Sequence, residues 1–415
     1  MSNSGKRVLI VGGGLAGLAC AVHLHEAGAR PSILEAGNAP GGRVRTDRID
    51  GFLLDRGFQV FLDAYPQAGI LLDKKSLDLR AFKPGALVYQ GGRMHRVMDV
   101  FRDPRHLLAS ALAPIGSVTD KLRVAALKWR LNRATIEEIQ AHEDLTTENY
   151  LKRSGFSPRM IDGFFRSFYG GIFLERELRT SSRMFEFTFK MFSQGNATLP
   201  ARGMGEIPRQ LAARLPTGTI RLAARVAEIT SGIVTLESGE SLAGDAVVVA
   251  TDATTAARLI PDRPRATPVW KSVTCLYFAA SQSPLCEAII ALNGTGRGLV
   301  NNVCVPSDVA PGYAPPGQSL ISISVLGTPE PEGLESKVTT ELEAWFGNEV
   351  REWRHLRTDR IEQALPEQTP GQGPIDPAFR EKAGIFLCGD HLSSASIEGA
   401  ITSGLKAANA VLKQS

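Results

Sequence analysis

Cysteine is scarce and scattered. The five residues Cys20, Cys275, Cys286, Cys304 and Cys388 form no CxxC pair and no cluster with histidine, which excludes a zinc ribbon and a vicinal redox disulfide. They read as buried thiols in a reducing compartment, and no metal site is expected. No run of 18 or more apolar residues occurs, so no spanning helix is expected. The apolar amino-terminal stretch reads as a strand and a glycine turn and lacks the cleavage-like end of a signal peptide; a cytoplasmic location is expected. Neither sign of charge dominates: 47 Lys and Arg against 43 Asp and Glu leave +4. With no basic run interleaved with aromatics, no nucleic-acid partner is expected. Internal repeats and low-complexity tracts are also missing, apart from a local Pro/Gly loop at 311–318.

Glycine, by contrast, is concentrated where it has work to do. Arg7 to Val11 is a short apolar strand that runs into Gly12-Gly13-Gly14-Leu15-Ala16-Gly17, then a helical pattern to Ala27, then Gly28. A second strand, Pro31 to Leu34, ends at Glu35. Strand, glycine turn, helix, strand and acid in register are the fingerprint of a dinucleotide-binding βαβ unit. Gly12 permits the tight turn, Gly14 lets a pyrophosphate approach the backbone, and Gly17 lets helix and strand pack closely. The helix N-terminus supplies unpaired N–H groups and the positive end of its dipole. Glu35 stands where a carboxylate accepts from ribose hydroxyls. Gly41-Gly42-Arg43 then offers a second close approach and a cation for phosphate. No second GxGxxG follows a strand; Gly294-Thr295-Gly296-Arg297-Gly298 has the wrong spacing, so no dedicated nicotinamide-nucleotide domain is expected.

The run from Val8 to Thr46, with Asp55-Arg56-Gly57-Phe58-Gln59-Val60 behind it, resembles the FAD-binding amino terminus of the flavin amine oxidase superfamily. That superfamily includes phytoene desaturases, protoporphyrinogen oxidases and hydroxysqualene-processing flavoenzymes. The resemblance recurs at Gly384 to Asp390, a strand ending in Gly-Asp, and at Ser396 to Ala408, which opens a helix. It implies FAD, bound without a covalent link, on Gly12, Gly14, Leu15, Ala16, Gly17, Glu35, Ala36, Gly42, Arg43, Gly57, Phe58, Gln59, Val60, Val226, Gly389, Asp390, Ser396 and Ile397. Within that set it implies a backbone contact from Val226 to adenine, Asp390 at the ribityl–phosphate region, and Ser396 and Ile397 at the isoalloxazine. Two features depart from the amine oxidases of this group. Ser396 stands where they carry a cage aromatic, and Thr274 is aligned with their flavin-side lysine. These departures favour the desaturase-like and protoporphyrinogen-oxidase-like branches.

A chain of 415 residues exceeds the usual size of one core. The expected class is α/β: a Rossmann-type FAD domain of parallel sheet plus β-meander, with a second, α+β substrate domain. The FAD domain is expected to be discontinuous, at 1–75, 199–264 and 356–415, with the substrate domain at 76–198 and 265–355. Within the first, Ile207 to Leu215 reads as a helix, Ile220 to Leu242 as a meander turning at Ser231-Gly232 and Ser238-Gly239, and Asp245 to Ala250 as a buried parallel strand.

The second domain speaks of apolar cargo. Nine of the 18 phenylalanines lie between Phe156 and Phe192, suited to a cavity over the flavin for a lipophilic molecule. The competing reading makes them ordinary core, with Phe185, Phe187 and Phe189 alternating as in a half-buried strand. Gly170-Gly171 breaks the run and allows close backbone approach. No triad or carboxylate pair stands out; His391, Tyr169 and Arg166 are the candidate catalytic groups, each with a structural alternative, a loop histidine, a core tyrosine and a solvated arginine. Residues 105–133 mix leucines with Arg and Lys. A packed helical hairpin is the expected form and peripheral membrane contact the second reading. The chain is thus read as an FAD-dependent dehydrogenase of oxidase or desaturase type acting on a mainly apolar small molecule, its flavin reoxidised by oxygen, quinone or another acceptor. A redox-neutral isomerase or mutase, an amine oxidase and a non-catalytic FAD-binding protein are the alternatives.

Overall fold

The computed structural model describes residues 5–98, 115–230, 232–260, 269–371 and 384–414. A five-stranded parallel sheet runs in the order 220–221, 30–34, 7–11, 246–249, 385–387. Val8 to Val11 lies between two strands and is buried along its length, which its β-branched and leucine side chains suit. Segments from widely separated parts of the chain therefore meet in one sheet. The helix Leu15–Glu26 follows the first strand, and the helix Ile397–Lys413 packs against it. Gly404 makes that packing close: a Cβ there would stand 2.2 Å from the Ala16 carbonyl oxygen. Strands 226–230, 233–236 and 241–243 form the antiparallel meander, turning at Gly239. Ser231 lies outside the described residues.

A seven-stranded mixed sheet forms the other half, in the order 354–366, 270–280, 319–326, 300–304, 290–293, 85–90, 93–98. The strand Arg354–Pro366 belongs to this sheet, so the expected return to the parallel sheet at 356 comes later, at Ile385. Helices 118–133, 147–153, 166–173 and 182–194 lie in the same half. Phe185, Phe187 and Phe189 are on the helix Ser182–Gln194, which corrects the strand reading. This helix is covered on two sides. Phe185 meets Tyr150 and Tyr169, while Phe187 stacks on Tyr65. Burial on opposite faces mimics the alternation of a strand. Gly170-Gly171 does not break its helix, Arg166–Phe173, but it does admit neighbours: Cβ atoms there would stand 2.9 Å from Glu175 O and 2.8 Å from Asn301 Nδ2. Of the segment 105–133, residues 105–114 lie outside the described residues, and 118–133 is one continuous helix begun by a Ser117–Asp120 capping box.

Asp55 joins the two halves. Its carboxylate accepts from Thr46 Oγ1 at 2.5 Å, Met204 N at 3.0 Å and Tyr313 Oη at 2.8 Å, and its carbonyl accepts from Tyr277 Oη at 2.5 Å. Burial pushes this carboxyl up to about 6, against the pull of its donors. A raised acid takes up its proton more readily when folded, so its contribution to stability is fullest at low pH and is lost as pH rises from about 4 to 6. Asp55→Asn is expected to flatten urea midpoints over that window, where the wild-type contribution falls by up to about 3 kcal/mol. Equal slopes in both proteins would refute this.

Candidate cofactor and substrate site

The glycine turn divides its labour as the physics requires. Gly12 has φ +107°, and a Cβ on it would lie 2.8 Å from Ala250 O. A Cβ on Gly17 would lie 2.1 Å from Gly12 O, so this glycine sets the distance between helix and strand. Gly14 is different. It is extended, at φ −71° and ψ −179°, and a Cβ there would meet nothing within 4 Å. No side chain caps the helix end it precedes, and no acid occupies the first turn, so Leu15 and Ala16 open a helix whose N–H end is left for an anion. Gly41 N donates to Gly13 O at 2.8 Å, and Gly42 lies against the Gly14 Cα.

Glu35 accepts from Gly13 N at 2.7 Å and from Gly37 N at 2.6 Å, clamping the loop that contains Ala36 to the glycine turn. Each of these oxygens has a further lone pair for a ribose hydroxyl. Ala224 N donates to Glu35 O, which brings the start of the meander and Val226 alongside; the Val226 carbonyl accepts from Arg258 at 3.4 Å.

The distant ends meet at Arg43. Its guanidinium donates to Asp390 Oδ1 at 2.6 Å and to Ala364 O at 3.0 Å, and lies 5.7 Å from the Trp270 ring centroid. Burial works against this charge, but Asp390 outweighs it and holds Arg43 above its ordinary value. Gly389, at φ +154°, donates to Ser403 Oγ at 3.0 Å. Gln59 Nε2 donates to the carbonyls of Arg43 and Arg56, while its Oε1 is buried with no hydrogen-bond partner among the described residues. Gly57, at φ +82°, packs on Ile361; Phe58 meets Phe82 edge-on; and Val60 packs on the main core. Ser396 caps the helix that begins at Ile397, accepting from Gly399 N at 3.0 Å. An open cradle at Gly14, an uncapped helix end, a ribose-side acid and an orphaned buried acceptor together fit a dinucleotide.

A small cleft of about 10 Å³, room for a water molecule, adjoins this loop, lined by Phe173, Thr180, Met184, Lys271, Leu365, Pro366, Glu367, Gln368 and Ala395. Gln368 fixes the loop, donating to Ser393 O at 2.5 Å and accepting from Ala395 N at 2.9 Å. Lys271 is the feature that sequence reasoning missed. The lysine sought at Thr274 is absent there, because Thr274 is buried and donates to Gly327 O. Three positions earlier on the same strand, Lys271 reaches the cavity and donates to Glu175 Oε2 at 3.0 Å and Glu367 Oε1 at 2.6 Å. Burial lowers the Lys271 pKa, and the two carboxylates more than reverse it. The pairing register of the strand shifts between Lys271 and Val273.

The three catalytic candidates are not brought together. His391 follows Asp390 in a short turn beside Gly389. Tyr169 is buried among Phe165, Phe168, Phe173 and Phe185, and burial raises its hydroxyl well above the ordinary value. Arg166 pairs with Asp162 and Glu148 beside a different cleft, of about 20 Å³.

The fold and the cradle define a flavoprotein of the two-domain amine oxidase type. The chain belongs to the flavin-containing amine oxidoreductase family, which matches residues 15–412, and is an FAD-dependent oxidoreductase. It is 39% identical over 170 residues to protoporphyrinogen oxidase 2, chloroplastic/mitochondrial, of Arabidopsis thaliana, a match covering 40% of this chain and 32% of that protein. The chain thus spans about a third of that relative's length. It is 22% identical to 15-cis-phytoene desaturase of Glycine max over 98% of this chain and 80% of the relative. Among solved structures, an oxidoreductase from Methanosarcina mazei matches with TM-score 0.75 at 16% identity, covering 96% of this chain and 98% of the other. Reduced UDP-galactopyranose mutase matches with TM-score 0.71 at 16% identity, covering 99% and 96%.

Proposed function

We propose that this enzyme dehydrogenates a mainly apolar small molecule. The observation that carries the reading is the apolar lining of the cleft beside Ala395. Its apolar walls, Phe173, Met184, Leu365 and Pro366, share a loop and a strand end with the cofactor residues Asp390 and Arg43. Bound flavin would supply the hydride acceptor. The chain's own residues hold and orient. Gln368 fixes the loop leading to Ser396, Lys271 between its two glutamates closes one side of the cleft with an ion-paired cluster, and the aromatic helices behind Phe173 keep water out. FAD is held without a covalent bond; the Cys388 thiol is buried and pushed up to about 12, unsuited to attack. The cofactor half is assigned to the segments that build the parallel sheet and the meander, and the substrate half to the seven-stranded sheet and its helices.

The names of the relatives suggest the first compounds to try: a 15-cis-phytoene-type polyene and a porphyrinogen. Anaerobic addition of a true substrate is expected to bleach the visible flavin band with stoichiometric formation of dehydrogenated product. Turnover of a polyene or other substrate with no net electron flow would replace this reading with the redox-neutral one, a chemistry the fold also carries in the mutase named above.

A further inference from the structure

We propose that Trp270, from the substrate half, is a positioning residue for the cofactor: it holds the Arg43 guanidinium ready for a phosphate. The inference rests on the reading of Arg43 as the cation for the cofactor's phosphates, and it deepens that reading. A guanidinium has five N–H donors in one plane. Asp390 Oδ1 takes one at 2.6 Å and Ala364 O another at 3.0 Å. These are its two acceptors among the described residues, so three donors are left for an oxyanion. Bonds in the plane do not cover the faces. The indole of Trp270 does, with the guanidinium carbon 5.7 Å from the ring centroid and over the ring. An indole face attracts a cation and, being apolar, keeps water from that side.

The indole is itself fixed. Its Nε1–H donates to Thr254 Oγ1 at 2.9 Å, on the helix Ala253–Leu259. Asp252 caps that helix, accepting from Thr255 N at 2.9 Å. The helix follows the strand Ala246–Val249 of the parallel sheet. Trp270 opens a strand of the other half, Trp270–Ala280, yet its side chain meets the cofactor half twice. Its backbone pairs with Pro366, two residues after Ala364. The ends of two paired strands thus bring a carbonyl and an aromatic face to one cation. Successive residues of a strand point to opposite sides. Lys271 reaches the cleft, and Trp270 turns the other way, to Arg43.

An aromatic that only filled space would pack among apolar side chains. Trp270 is half-buried and belongs to none of the three apolar clusters, and Val269 before it is 57% exposed. Cofactor retention therefore depends on the substrate half, through this side chain, as well as on the glycine turn.

The test is flavin release from the full-length, flavin-loaded enzyme after dilution, followed by the fluorescence of free FAD. Trp270→Ala should release flavin ~10-fold faster, and added salt should widen the difference, because the bared ion contact is open to screening. Trp270→Phe keeps an aromatic face and should stay within about 3-fold of the wild type. Arg43→Gln should release flavin faster still. Since Trp270 acts through Arg43, adding Trp270→Ala to Arg43→Gln should bring less than ~2-fold more. A tryptophan needed only for folding would give additive losses and no rescue by phenylalanine. Unchanged release from Trp270→Ala, or additive losses in the double variant, would overturn the proposal and leave Arg43 in the cofactor site. Wild-type release from Arg43→Gln would remove the reading of Arg43 and the proposal with it. Should Arg43→Gln fail to fold, the single variants still decide: equal release from Trp270→Ala and Trp270→Phe, insensitive to salt, would sink the idea.

Discussion

Gly14→Val should yield a folded protein that does not hold flavin. The space in front of Gly14 contains no protein atom within 4 Å of a Cβ position, and its backbone angles suit any residue. The valine's Cβ therefore meets no protein atom, and the side chain stands where we propose the pyrophosphate lies. Losing approach to the helix N-terminus should weaken FAD binding by at least about 100-fold, or roughly 3 kcal/mol. Flavin absorbance per chain after desalting measures this, and far-UV dichroism checks the fold. Gly17→Ala is the contrasting control. Its Cβ would press on the Gly12 carbonyl at 2.1 Å, so it should lower the unfolding midpoint as well as flavin content. A yellow, stoichiometric Gly14→Val protein would remove the turn from the cofactor site.

Lys271→Met should be the most destabilising substitution in the cavity. The lysine pairs with both Glu175, whose side chain is 2% exposed, and Glu367. Arg179 reaches both carboxylates only at 3.8 and 3.5 Å and is itself more than half exposed. Removing one partner of a buried pair typically costs about 3–5 kcal/mol, because the remaining charge keeps its desolvation penalty. Urea unfolding at neutral pH reads this directly. Adding Glu175→Gln should restore part of the loss, since it removes one stranded charge while keeping an acceptor for Thr180. An unchanged midpoint in Lys271→Met would mean that the cluster is not a closed network.

The sequence made the cofactor half readable because its constraints are local. Gly12, Gly14, Gly17 and Glu35 lie within one βαβ unit, and each spacing reflects a single backbone requirement. Asp390 was readable only through the resemblance at Gly384 to Asp390. That it meets Arg43 is a tertiary fact, spanning 347 positions. The cavity was less accessible. Lys271 was hidden because no motif marks it; its partners Glu175 and Glu367 come from distant parts of the chain. The helix 182–194 was hidden by the alternation of Phe185, Phe187 and Phe189, although Arg183, Glu186 and Lys190 fall together on one side at helical spacing. Glu175, Glu367 and Gln368 carry no pattern at all; only the meeting of separate strands and helices gives them a role.

The parallel sheet also sets an order of events during synthesis. The first strand and helix emerge early, yet Ala16 waits for Gly404, and the Ala246–Val249 side of the sheet waits for Ile385–Leu387. Lys6, which donates to the carbonyls of Val411 and Gln414, waits as long. A ribosome making ~5–20 residues per second leaves that apolar edge uncovered for tens of seconds. The glycine turn is therefore translated first and becomes a binding site late. Flavin capture should follow release of residues 385–413 from the exit tunnel, and chains stalled before that point should be clients of chaperones.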